Sequence, residues 1–140
     1  MSRRLVLDAS VVIAAALTSN RSSASCLLAA AVGTGEVRLV VSPPVVAEYV
    51  RAMAEHAAGA QIPDPVAFVL DLIGSAESVT PEPVIAVQDD PTDDVYLGTA
   101  LAGRASHLVT FDRAHLLPLD PFRGVRIVLP GTMLELMRAR

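Results

Sequence analysis

Four carboxylates fall within six residues, Asp89, Asp90, Asp93 and Asp94, arranged around Pro91 where a loop enters an apolar helix. Helix entry explains one or two of them, since Asp and Thr cap helix N-termini and early acids favour the positive end of the helix dipole. Four like charges so close together call for a cation. Three further acids stand alone. Asp8 follows the apolar run Leu5-Val6-Leu7, Asp112 follows Leu108-Val109-Thr110-Phe111, and Glu48 falls in the second turn of a helix opened by Ser42-Pro43-Pro44. All eleven basic residues are Arg, so no Lys is present to pair with these acids. Carboxylates of this kind suit a hard divalent cation such as Mg²⁺ or Mn²⁺, and the chemistry such ions support is phosphoryl hydrolysis.

The acids can act together only if the intervening chain brings them to one place. Residues 3–8 read as a short buried strand ending in an acid, followed by a helix over 10–17 and a second over 24–32, closed by Gly33-Thr34-Gly35. Val37 to Val41 is a second strand. The Ser-Pro-Pro start then opens a helix through Met53, and Pro65 opens another that ends at Ile73. Val84 to Val87 is expected as an extended approach or edge strand, and Asp94 to Ala102 as a helix whose small residues pack closely on a sheet. His107 to Thr110 and Val125 to Leu129 are further strands, and Pro130 to Met137 closes the chain as a helix. Short continuous apolar strands alternating with helices predict an α/β three-layer sandwich with a central parallel sheet. Ligands of such sheets gather at the strand C-terminal ends, near a topological switch point. Asp8, Glu48, Asp94 and Asp112 would then share one rim.

The bulk composition narrows the class. A length of 140 residues fits one domain spanning 1–140, and a hydrophobic content of 52% excludes disorder. No apolar run approaches the roughly 18 to 20 residues that cross a bilayer, and Val11 to Leu17 lies too close to Asp8 for a signal peptide. A soluble, cytoplasmic protein without a membrane partner is expected. The lone Cys26 reads as a small buried hydrophobe. A net charge of -4 argues against a broad basic surface for nucleic acid, although acids clustered around metal ions contribute to that count without opposing a nuclease.

Four stretches in order resemble the motifs of the PIN-domain nucleases, especially the VapC-like toxins of bacterial toxin-antitoxin pairs. They are Val6-Leu7-Asp8-Ala9-Ser10-Val11-Val12, then Val41-Ser42-Pro43-Pro44 through Glu48-Tyr49, then Asp90-Pro91-Thr92-Asp93-Asp94-Val95-Tyr96-Leu97, and finally Val109-Thr110-Phe111-Asp112. The resemblance implies a Mg²⁺- or Mn²⁺-dependent endoribonuclease whose metal is held by Asp8, Glu48, Asp94 and Asp112, with Asp90 as a further ligand or water-holding acid. Ser10 and Thr110 would steady those ligands through their hydroxyls. It also implies an RNA substrate, a cognate antitoxin and a homodimer. The chain departs from the family pattern at Ala9, where Thr is common, and at Arg113-Ala114-His115, where another acid is common.

Other residues near these motifs have plainer readings. Asp89 and Asp93 read as capping and solvated charge. Arg104 and Arg113 flank the expected site and are weak candidates for bidentate phosphate contacts, with solvation the default. His115 lies a few residues beyond Asp112 and could face the site as a general acid or base, with a surface or packing role as the default. Tyr49 and Tyr96 suit core or rim packing, with RNA base stacking as the alternative. Two rival functions compete with this reading: a PIN-like protein acting mainly as an interaction partner without toxin activity, and a small acid-rich phosphatase or receiver-like domain. The phosphatase wants a second Asp two residues after the first, where Ser10 stands, and the receiver wants a Lys.

Overall fold

The computed structural model describes residues 3–60, 62–87 and 90–139. Strands β1 (Arg3–Leu7), β2 (Val37–Val41), β3 (Glu77–Ser78), β4 (His107–Val109) and β5 (Arg126–Val128) form one sheet in the order β3-β2-β1-β4-β5. Every pairing is parallel. Among the described residues six α-helices accompany it: α1 (Ala9–Leu17), α2 (Ala24–Gly33), α3 (Pro43–His56), α4 (Pro65–Ile73), α5 (Pro91–Ala102) and α6 (Pro130–Arg138). The result is the expected α/β three-layer sandwich around a central parallel sheet.

β1 is the central strand, and its residues show why it reads as an unbroken apolar run. Leu5, Val6 and Leu7 are each at most 1% exposed, because helices cover both faces and leave no solvated side to alternate towards. After β1 the chain steps outward to β2 and β3, then returns to place β4 on the opposite side of β1. This reversal makes the crevice at the C-terminal ends of β1 and β4 the switch point of the sheet. The backbone of Asp8 adds a rung there, its N–H donating to Val109 O at 2.9 Å.

One strand lies elsewhere than the sequence predicts. Residues 84–87 form no strand, whereas Glu77–Ser78 pairs with Val40 and Val41 as the edge. Pro81 and Pro83 lack the N–H donors a ladder needs, so this segment attaches to α5 instead. Glu82 N donates to Gly98 O at 3.0 Å, an approach so close that a Cβ on Gly98 would lie 2.1 Å from Glu82 O. α5 also begins earlier than expected, at Pro91 rather than Asp94, with Asp90 as its N-cap.

Candidate metal centre

Asp8 directly follows β1 and is the N-cap of α1. Its carboxylate accepts from Ser10 N at 3.4 Å, from Ser10 Oγ at 3.1 Å and from Thr110 Oγ1 at 2.5 Å. Thr110 Oγ1 in turn accepts from Asp112 N at 3.0 Å, and Ser10 Oγ accepts from Phe111 N at 3.3 Å. Two hydroxyls thus tie the end of β1 to the end of β4 across the switch point. Ser10 and Thr110 are both bonded to the Asp8 carboxylate. Burial pushes the Asp8 carboxyl above its ordinary range; the hydroxyl and amide donors oppose this, and the nearby Asp112 charge adds to it.

The tyrosines brace the same turn from below. Tyr96 Oη accepts from Ala9 N at 3.1 Å, and Tyr49 Oη donates to Leu7 O. They are 2% and 0% exposed, which removes base stacking as a role for either. Burial raises the pKa of both phenols, so they remain neutral hydrogen-bonding groups.

On α5 the neighbouring acids Asp93 and Asp94 have different surroundings. Asp94 turns away from the switch point: its Oδ1 accepts from Ala86 N at 3.0 Å and Val87 N at 2.7 Å, holding the preceding loop on the helix. Asp93 is instead buried, only 7% exposed, although it reads in sequence as a cap or a solvated charge. Helical geometry gives the reason. Asp93, Tyr96, Leu97 and Ala100 recur at spacings of 3, 4 and 7, and all are buried on the face that packs against β1 and β4. Asp94 lies about 100° further round the helix. That buried stripe was a signal present in the sequence; the late helix start concealed it.

The electrostatics of Asp93 are unusual for a surface-helix acid. Burial, followed by the charges of Asp90, Asp112 and Asp8, pushes its carboxyl up to about 7, with His115 pulling slightly the other way. Its Oδ2 is buried without any hydrogen-bond partner. An orphaned carboxylate oxygen is costly in a folded protein unless something else satisfies it.

Asp112 faces this oxygen from the β4 side. Its Oδ1 accepts from Ala114 N and His115 N, each at 3.0 Å, in a tight turn. The same turn brings His115 into the cluster. His115 Nδ1 lies 3.7 Å from Asp93 Oδ2 and 3.6 Å from Asp112 Oδ2. Asp93, Asp112 and His115 each offer a ligand atom within 4.8 Å of the others. Nothing in the local sequence brings His115 to Asp93; only the fold does.

The remaining predicted residues distribute as follows. Glu48 is on α3 close enough for its charge to act on the Tyr96 phenol, but both its oxygens are engaged by Arg51, through Nε at 3.0 Å and through Nη2. Asp90 caps α5 by accepting from Thr92 N at 3.1 Å, while its charge reaches Asp93. Asp89 lies outside the described residues. Arg113 is exposed beside Asp112. Arg104 does not flank the site at all. α5 runs back to the strand N-terminal ends, so the residue after its Gly103 cap sits beside Arg4 and Glu77, a strand length away from Asp112.

The residues at the switch point fit a divalent cation. Asp93, Asp112 and His115 lie within reach of one ion, and the Asp8 charge bears on Asp93. No Lys or Arg among the described residues is bonded to the Asp8, Asp93 or Asp112 carboxylates, and Asp93 Oδ2 has no hydrogen-bond partner. Among solved structures, the chain is similar to the crystal structure of PAE2754 from Pyrobaculum aerophilum. That similarity has a TM-score of 0.63 at 20% identity and covers 99% of this chain and 91% of the other. Among curated proteins none matches this chain. Residues 4–114 match the sequence model of the PIN domain, a span that begins in β1 and ends beyond Asp112. PIN domains are generally metal-dependent nucleases that act on RNA, so a nuclease-type function is indicated. With most of its length matched and its acids gathered at the switch point, this chain belongs to the PIN-domain family.

Proposed function

We propose that this chain is a Mg²⁺- or Mn²⁺-dependent endoribonuclease that hydrolyses phosphodiester bonds in single-stranded or exposed regions of RNA. The observation that carries the reading is the buried Asp93 Oδ2, which has no hydrogen-bond partner and lies with Asp112 and His115 at the switch point, the Asp8 charge also bearing on Asp93. Asp8, Asp93 and Asp112 are the residues that would hold the cation; Glu48 would join them only by leaving Arg51. Held by these residues, a divalent cation would supply positive charge for the phosphate and would activate water for attack. Thr110 and Ser10 keep the Asp8 carboxylate oriented, and Tyr49 and Tyr96 fix the backbone on which it stands. Asp94 has a different task, holding the loop before α5.

A finer reading rests on the motif resemblance. The chain would be a single PIN domain and the toxin of a toxin-antitoxin pair, working in the cytoplasm as a homodimer and restrained by a cognate antitoxin. Growth arrest on expression, relieved by a small neighbouring gene product, would test that. The nuclease reading has its own test. Purified protein should cleave single-stranded RNA with Mg²⁺ or Mn²⁺, stop when the metal is chelated, and lose cleavage in Asp8→Asn and Asp93→Asn while remaining folded. Equal cleavage by Asp8→Asn and the unaltered protein would refute it.

A further inference from the structure

We infer that His115 is a nitrogen ligand of the metal centre, so that the site takes a first-row transition cation of the Mn²⁺ type in preference to Mg²⁺. The inference rests on the metal-centre reading of the previous subsection and makes it more specific.

His115 Nδ1 is suspended between two carboxylate oxygens, 3.7 Å from Asp93 Oδ2 and 3.6 Å from Asp112 Oδ2. Both separations are too long for a hydrogen bond, whose N···O distance runs to about 3.2 Å. They are close to the spacing of two atoms sharing one ion, because ligands about 2.1 to 2.2 Å from a cation lie roughly 3 to 3.6 Å apart in octahedral or tetrahedral arrangements. An ordinary His–carboxylate pair would close onto one partner. Here the ring closes onto neither.

Two other features point into the same space. The Asp93 side chain is nine-tenths buried, and its Oδ2, the atom facing His115, has no hydrogen-bond partner. Asp112 Oδ1 is consumed by the N–H groups of Ala114 and His115, which leaves Oδ2 as the oxygen available to the centre. That turn also fixes the position of His115, since its own backbone is one of the two donors. The ligand atoms are thus set by a buried helix face on one side and a hydrogen-bonded turn on the other.

The chemistry of the donor set decides the ion. Mg²⁺ prefers oxygen ligands and keeps much of its water, whereas an imidazole nitrogen favours transition cations, with affinity rising along the series from Mn²⁺. A site in which one imidazole joins the carboxylates of Asp8, Asp93 and Asp112 should therefore discriminate against Mg²⁺ more strongly than an all-carboxylate site would.

Metal binding in the absence of RNA tests this, using MnCl₂ and MgCl₂ with the full chain. Pulsed electron paramagnetic resonance of bound Mn²⁺ should show nitrogen modulation from a directly bound imidazole. His115→Gln and His115→Ala should lose it and weaken Mn²⁺ binding by about 10- to 100-fold. Mg²⁺ binding should change far less, so the Mn²⁺:Mg²⁺ affinity ratio falls. His115 is half exposed, so both variants should fold, with circular dichroism as the check. Mn²⁺ bound without nitrogen modulation, or an unchanged affinity ratio in both variants, would overturn the role of His115 while leaving the carboxylate centre standing. Failure of the unaltered protein to bind either ion would overturn both readings.

Discussion

Asp93 and Asp94 are neighbours in sequence, yet their substitution should move stability in opposite directions. Asp94→Ala removes an acceptor that serves two backbone donors, Ala86 N and Val87 N. Hydrogen bonds to a charged group are worth about 1.5 to 3 kcal/mol, and an acid near a helix start contributes about 0.3 to 1 kcal/mol more. With both donors sharing one oxygen, the expected loss is roughly 2 to 4 kcal/mol. For a chain of 140 residues that corresponds to a fall in Tm of roughly 6 to 15 °C. Asp93→Asn does the reverse in metal-free protein, by removing a buried charge repelled by Asp90, Asp112 and Asp8. Ionising a group whose pKa lies at about 7 rather than 3.8 costs on the order of 4 kcal/mol at most, so the Asn variant should gain up to that amount at pH 8. Thermal melts and Mn²⁺ titrations of the two variants separate the roles. Asp94→Ala should melt lower and still bind metal, and Asp93→Asn should melt higher and bind little. Loss of metal binding in Asp94→Ala at unchanged Tm, with Asp93→Asn binding normally, would refute this assignment.

The pH dependence follows from the same carboxyl. The raised pKa of Asp93 means that the folded state holds its proton more tightly than the unfolded state does. Its stability contribution is therefore full below about pH 4 and is lost as pH rises through about 7, with Asp8 acting in the same sense. The Tm difference between Asp93→Asn and the unaltered metal-free protein should widen across that window and level off above it; a constant difference would contradict the shift. Thr110→Val deletes the donor to Asp8 and the acceptor for Asp112 N, and should weaken metal affinity by about 10- to 100-fold, measured by calorimetry, while Thr110→Ser retains most of it. Gly98→Ala should destabilise by about 1 to 3 kcal/mol in denaturant titrations, because its Cβ would meet Glu82 O, although helix propensity alone favours Ala by about 1 kcal/mol. Phe111 is 44% exposed between Thr110 and Asp112, and the chain contains no Trp. A Phe111→Trp variant would therefore carry a single Trp at the rim, whose quenching by single-stranded RNA would report a substrate bound at this centre.

Much of the architecture is legible along the chain because it is locally encoded. Leu5-Val6-Leu7 and Leu108-Val109 are apolar at every position, which announces strands covered on both faces, and an acid after each is then placed at a strand end whatever the rest of the fold does. Ser10 and Thr110 follow in the same way, two residues from their acids. β3 was not legible. Two residues, Glu77 and Ser78, have no pattern of their own, and they are extended only because Val40 and Val41 offer them a ladder.

Sequence by itself therefore determined the parallel α/β scaffold and the presence of Asp8 and Asp112 on one rim, since short-range hydrophobic patterning dictates where strands stop. Tertiary structure decided which member of the acidic cluster is buried. The start of α5 at Pro91 fixes the helix phase, and packing against β1 and β4 turns Asp93 inward and Asp94 towards the loop. It also decided that Arg104 lies on the far rim and that His115 meets Asp93. Both outcomes depend on how separate elements cross the sheet, and the spacing of residues along one chain segment carries no record of that.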